Sequence, residues 1–173
     1  MEVRNFHSRQ LRRPVQDVGP YLDSLSSPND LLWPHEHWPP MVFGGPLAEG
    51  AKGGHGPIRY VVEKYEPGRR VILRFTAPAG FDGVHYFTLE EEGEGTKIGH
   101  TIEMRISGPA LLTWPLFIRP LHDALLEDAL DKVEAHLSGK SWTRREWKPW
   151  VKLLRKVLAK RRSARSKAGR TGS

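Results

Sequence analysis

The sequence contains no cysteine. That excludes disulfides, thiolate metal ligands and a cysteine nucleophile, and it fits a cytoplasmic setting. No run of 18 apolar residues occurs, so no membrane-spanning helix is expected. The first residues, MEVRNFHSRQ, lack the apolar stretch of a secretory signal. Neither Gly53-Gly54-His55-Gly56 nor Gly93-Glu94-Gly95 carries the Lys-Ser/Thr ending of a phosphate loop. No residue spacing demands a three-His metal site, and neither a metal nor a cofactor is expected.

What remains is ordinary in composition and rich in turns, with 38% hydrophobic residues, 17 Gly and 14 Pro in 173 residues. This length suits one domain with an appendage. The net charge of +7 is unevenly spread. Residues 1–137 hold 14 Lys/Arg and 19 Asp/Glu, whereas residues 138–173 hold 13 Lys/Arg and the single acid Glu146. An acidic body over 1–138 is thus followed by a basic tail over 139–173. The high isoelectric point belongs to that tail alone.

Weak alternation predicts a strand over 3–11. Val15, Val18, Tyr21, Leu22 and Leu25 predict a short helix beginning after Pro14. Asn29 or Asp30 is placed to cap one more turn, through Leu31–Trp33. The segment Trp33–Pro40 has too many prolines for regular structure. Four strands follow, over about 58–66, 71–76, 84–89 and 97–106, with a further short one near Ala48–Lys52. Pro67-Gly68, Pro78-Ala79-Gly80 and Glu90–Gly95 supply the turns, and short connections favour antiparallel pairing.

After Gly108-Pro109 the period becomes helical. Ile118, Leu121, His122, Leu125, Leu126, Ala129, Val133 and Leu137 share an arc of roughly 160°. Asp123, Glu127, Asp131 and Glu134 lie opposite. Pro115 and Pro120 predict an interruption at its start, and Ser138-Gly139 ends it. The resulting class is α+β, with a curved antiparallel sheet wrapped around one long helix.

That order of elements resembles the START-like helix-grip superfamily (SRPBCC, polyketide cyclase/dehydrase-like proteins). The likeness is carried by Asp30-Leu31-Leu32-Trp33-Pro34, by Arg59–Phe75 (RYVVEKYEPGRRVILRF), by Gly95–Met104 (GTKIGHTIEM) and by Ile118–Leu137. It covers residues 3–137. The resemblance implies a cavity between sheet and helix that holds a hydrophobic or amphipathic small molecule. It does not select a reaction, because the superfamily includes carriers, receptors and cyclases.

His100 lies on the strand face of Ile98, Ile102 and Met104, and His85 on that of Phe87. His122 falls within the apolar arc of the long helix. Converging imidazoles would orient a carbonyl or phenol oxygen, or serve as a general base. The plainer alternative is that each is a core histidine. The expected ligand-binding set is therefore His85, Phe87, His100, Ile102, Met104, His122, Leu125 and Ala129. No catalytic residue is singled out. A binding protein is the first reading, and a cyclase/dehydratase-type enzyme using one of these histidines is the second. Arg119 and Asp123 have the spacing of a helical ion pair. Arg59 or Arg74 would bind a carboxylate if it faced inward, and alternation does not decide that. Trp33, Trp38, Tyr60, Phe81 and Trp114 either line the cavity mouth or are simply packed.

In the tail, Pro149 can open a helix. Trp147, Trp150, Val151, Leu153, Leu154, Val157 and Leu158 cover one face of it, and Lys148, Lys152, Arg155 and Lys156 another. Trp and Leu opposite cations is the composition of an interfacial membrane helix. Trp147, Trp150, Lys152, Leu154, Arg155 and Lys156 are the expected contacts with an anionic membrane surface. That would make the protein cytoplasmic but peripheral to a membrane. Docking on the body or on another subunit is an alternative, and nucleic acid is the weakest. Residues 160–173 have almost no apolar content and are expected to be disordered. The sequence does not set an oligomeric state.

Overall fold

A computed structural model describes residues 1–170, with side chains through Lys160. Seven strands form one antiparallel sheet: β1 (Glu2–Leu11), β2 (Val42–Phe43), β3 (Lys52–His55), β4 (Ile58–Glu66), β5 (Arg70–Ala77), β6 (Phe81–Glu92) and β7 (Gly95–Ile106). Their order across the sheet is β1-β7-β6-β5-β4-β3-β2. The first strand thus closes on the last, with His7 opposite His100. Every other neighbour is reached by a hairpin or short connection.

Four of these strands lie where alternation places them. Val71, Leu73 and Phe75 point inward from β5, and His85, Phe87 and Leu89 from β6. Ile98, His100, Ile102, Met104 and Ile106 do so from β7. The further short strand predicted near Ala48–Lys52 is displaced, giving way to β2 and β3 on either side. Arg59 and Arg74 both face outward. Arg59 donates to the Gly56 and Ile58 carbonyls, and Arg74 pairs with Glu63. Bulges in β4 beside Tyr60 and Val62 bend the sheet. Gly83 permits the close β6–β7 approach, since a Cβ there would lie 2.3 Å from the Glu103 carbonyl oxygen.

The helices cover one face. α1 (Val15–Asp23) buries Val15, Val18 and Leu22. Its Asp23 carboxylate accepts the Gly68 N–H at 2.7 Å and the Tyr65 hydroxyl at 2.8 Å, which fixes the β4–β5 turn. The cap expected near Asp30 exists, with Leu32 and Trp33 N–H donating to Asp30 Oδ1, but no helical turn follows before Pro34.

α2 (Ala110–Thr113) leads into a π-helical turn over Trp114–Ile118, and α3 (Arg119–Leu137) continues from it. The interruption predicted from Pro115 and Pro120 is this wider turn, closed by the Arg119 N–H on the Trp114 carbonyl. α3 buries Leu125, Leu126, Ala129, Leu130 and Val133. Burial of each Leu or Val side chain stabilises by about 1.5–3 kcal/mol.

α4 (Pro149–Arg170) begins where Pro149 predicts. Its helix runs past the expected end near residue 160. This corrects the assignment of disorder to 160–170, and the reason is backbone propensity. Lys, Arg and Ala propagate a helix without an apolar stripe. Residues 171–173, the rest of that segment, lie outside the described residues. Among the described residues no helix is long and apolar enough to cross a membrane.

Candidate functional site

The interior of the grip is built from rings. His85 Nδ1 lies 3.3 Å from His100 Nε2, and the two histidines are 3% and 1% exposed. His100 packs against Phe87 at a centroid distance of 4.5 Å and against His122 at 5.0 Å. His85 stacks on Phe75 at 4.7 Å and meets Tyr60 at 4.9 Å. Phe87, Ile102, Met104, Leu125 and Ala129 join the same buried core. The structure therefore gathers the expected lining residues at the sheet–α3 interface.

Sequence reasoning missed one member of this chain of rings, His55. His55 Nδ1 lies 3.2 Å from the Tyr60 hydroxyl, and its ring lies 4.8 Å from that of Trp33. Tyr60, expected at a cavity mouth or packed, points inward with Ile58 and Val62 and is packed. His55 was hidden because Gly53-Gly54-His55-Gly56 looks like a loop, whereas Lys52–His55 forms a strand. Trp33, Trp38, Phe81 and Trp114 are all buried, so they pack rather than stand open at a mouth.

Burial sets the protonation of this region. It disfavours the charged ring and drives the His85 and His100 pKa values well below the usual imidazole range, with neighbouring histidines adding to the effect. His55 is pushed down to about 3 for the same reason. Burial raises the Tyr60 hydroxyl. These groups are neutral at pH 7. Four of their ring nitrogens, His85 Nε2, His100 Nδ1, His122 Nδ1 and His122 Nε2, are shielded from solvent and lack a hydrogen-bond partner.

Depressions among the described residues include two away from the eight expected lining residues. One, of about 260 Å³, is lined by Ser27, Asp30, Trp33, His35 and Met41 among others. The second, of about 440 Å³, lies beside Gln10–Arg12 and Glu92–Gly95. Neither touches the eight residues expected to line a ligand cavity, so neither is the deep cavity the resemblance implies.

At the sheet edge, β1 faces α3 through polar groups. His7 Nδ1 pairs with Glu127 Oε1 at 2.8 Å, and His7 Nε2 with Asp123 Oδ1 at 3.1 Å. Asn5 donates to Asp123 Oδ1 at 3.0 Å, and Arg9 to Glu127 Oε2 at 3.1 Å. The Arg119–Asp123 pair also forms, at 3.6 Å. Burial by itself raises the Asp123 carboxyl, but the histidines and Asn5 around it more than reverse this. Burial likewise opposes the His7 charge, and Asp123 and Glu127 together carry its pKa above the ordinary value.

Another face of α3 holds two buried ionisable groups that periodicity does not flag, Asp128 and Lys132. Asp128 Oδ2 accepts the Trp38 indole N–H at 2.8 Å and that of Trp147 at 2.9 Å. Lys132, 2% exposed, donates to the Trp33 carbonyl at 2.9 Å and to Glu36 at 2.8 Å. These contacts tie the Trp33–Pro40 loop and the tail to the helix.

The tail corrects part of the membrane-facing assignment. Trp147, Leu154 and Arg155 turn onto the body. Leu154 and Val151 are buried, and Trp147 lies between the guanidinium groups of Arg144 and Arg155, at 3.8 and 4.3 Å. Arg155 also covers Trp38 at 4.3 Å and bonds to the His37 carbonyl. The physical reason is the pair of indole N–H groups that Asp128 collects, which a membrane cannot match. Trp150, Lys152 and Lys156 remain exposed. Pro120 has no N–H to offer the carbonyl four residues earlier, and that carbonyl, Leu116 O, accepts the Trp150 indole N–H at 2.8 Å.

With this geometry in view, the chain was compared with known proteins. No family model matches it, and no curated protein matches it in sequence. Solved structures do match. CalU16 from Micromonospora echinospora superposes with a TM-score of 0.55 at 19% identity, over 93% of this chain and 86% of that one. The di-domain ARO/CYC StfQ from the steffimycin biosynthetic pathway gives 0.59 at 16% identity, over 80% of this chain and 51% of that one. Ara h 8.0201 gives 0.55 at 10% identity, over 81% of this chain and 100% of that one. The chain shares the helix-grip fold of these structures. At these identities the helix-grip likeness speaks for architecture, and the residues of the interior must speak for function.

Proposed function

We propose that this helix-grip protein binds a hydrophobic or amphipathic small molecule between the sheet and α3, with His85, His100 and His122 orienting a polar group of the ligand. One observation carries this reading. Four ring nitrogens are buried without partners, inside a shell of Phe75, Phe87, Tyr60 and Trp114. Leaving a buried polar atom unpaired costs about 1–3 kcal/mol. A ligand oxygen that pairs with several of them recovers that cost, and apolar neighbours take the rest of the molecule.

The direction of the imidazole pKa values favours binding over catalysis. A general base works best with a pKa near the operating pH, and burial takes His85 and His100 far below it. A cyclase/dehydratase-type reaction would need a pH–rate profile that one His→Ala variant abolishes. The test of binding is an untargeted mass-spectrometric search for a molecule that co-purifies with the native chain. His100→Phe should keep the fold and change the amount retained. Identical retention by His85→Phe, His100→Phe and His122→Phe would overturn the reading.

A second reading rests on a separate observation, the exposed apolar patch. Trp150, Leu153 and Val157 on α4 stand 45%, 49% and 42% exposed. The Trp150–Leu116 bond joins them to exposed Leu112, Leu116 and Phe117, with Lys152 and Lys156 alongside. Cations beside such a stripe suit an anionic membrane surface, where the protein would act as a peripheral adaptor. Flotation with phosphatidylserine vesicles should fall after Trp150→Ser/Leu153→Ser, and unchanged flotation would remove this reading.

A further inference from the structure

At the rim of the aromatic interior, a cluster combines two imidazoles and a carboxylate from two elements. His7 projects from β1, and His122 and Asp123 from α3. One donor atom of each lies within 4.8 Å of the others. His7 Nε2 is 3.1 Å from Asp123 Oδ1, and His122 Nδ1 is 3.7 Å from that same oxygen. We propose that His7, His122 and Asp123 form a site for a divalent transition-metal ion of the zinc class, at the rim of the sheet–α3 interior. This inference does not depend on the small-molecule reading, although His122 serves both. It also departs from the sequence-based expectation of no metal.

The distances suit the ion. With metal–ligand bonds of about 2.0–2.1 Å and tetrahedral angles, ligand atoms are about 3.3–3.4 Å apart. The two edges to Asp123 bracket that figure, and the third, between the imidazoles, is no longer than 4.8 Å, so side-chain movement completes the site. The longer edge is too long for a hydrogen bond, which leaves the His122 nitrogen free in a buried position. Two imidazoles and one carboxylate select zinc and its neighbours over magnesium or calcium.

The surroundings are also those of a metal centre. His7 places its second nitrogen on Glu127, which Arg9 holds in turn. A carboxylate behind a ligating imidazole fixes the ring's orientation. Asn5 holds the Asp123 oxygen, and Arg119 occupies the other oxygen of that carboxylate. Three protein ligands leave a fourth tetrahedral position for water or for a ligand atom.

The test uses the full chain, stripped of metal and titrated with cobalt(II) or zinc(II) chloride alone. Cobalt(II) should bind at one equivalent per chain and give the intense visible bands of a four-coordinate site. His7→Gln and Asp123→Asn should each weaken zinc binding by about 100-fold, and Glu127→Gln by about 10-fold. Equal affinity in these variants, or six-coordinate cobalt spectra, would assign binding to exposed histidines such as His35, His37 and His136 and overturn the proposal. X-ray absorption on the zinc-loaded wild-type chain gives an answer that needs no variant. Scattering from two imidazoles supports the site, and one or none refutes it. His7→Gln should leave small-molecule retention intact, and His100→Phe should leave zinc binding intact, so failure of either reading is separately visible.

Discussion

Replacing Asp128 with Ala should loosen both the tail and the Trp33–Pro40 loop. Asp128 is 1% exposed, and its Oδ2 takes two indole N–H groups, from residues 90 positions before and 19 after it. Removing the acceptor strands a buried donor on Trp38 and a half-buried one on Trp147. At about 1–3 kcal/mol for each stranded donor, the gross loss is about 2–6 kcal/mol. Part of this is offset because burial already disfavours the carboxylate and raises its pKa. A net loss of about 2–3 kcal/mol follows, measurable by urea unfolding. Asp128→Asn retains an acceptor and should lose about 1 kcal/mol. In a double-mutant cycle with Trp147→Phe, the coupling should be about 1–2 kcal/mol. Trypsin should also cut sooner at Arg144 and Arg145 in Asp128→Ala. A stability within about 0.5 kcal/mol of wild type, with no coupling to Trp147, would refute this account of the docked tail.

Two more predictions concern buried charge. Lys132→Met removes a buried donor from the Asp30 and Trp33 carbonyls, the latter keeping the His35 N–H, while Glu36 stays solvated, so about 1–3 kcal/mol should be lost; urea unfolding with less than about 0.5 kcal/mol lost would show that the lysine is dispensable. For acid stability, the folded pKa values of His55 and His85 lie below the unfolded value of about 6.5. The unfolded chain therefore binds protons first, and stability falls as pH drops below about 6.5, by about 1.4 kcal/mol per pH unit for each such group. For His55 this continues to about pH 3. His85→Phe keeps the stack on Phe75 and should make the slope between pH 6 and 5 shallower by about 1.4 kcal/mol per unit. Parallel slopes for wild type and variant would contradict burial as the cause.

Most of the fold is legible because its signals are local. Alternation in 97–106 and helical spacing in 118–137 each reflect one element with one covered face. The inward histidines on β6 and β7 followed from the same alternation. His55 escaped because glycines on both sides conceal a strand whose formation depends on pairing with β4. Arg59 and Arg74 were undecided because bulges in β4 shift the register, and bulges depend on the neighbouring strand.

By itself, the sequence determined the α+β class, the strand and helix faces, the kinked entry to α3 and the opposed charges of body and tail. Each of these depends on residues within a few positions of one another. Only the tertiary structure decided that β1 closes against β7 and brings His7 to Asp123, and that Asp128 and Lys132 are buried anchors. It also decided which face of α4 meets the body. Those outcomes depend on partners far apart in the chain, and a buried charge is tolerated only where folding brings its partner to it.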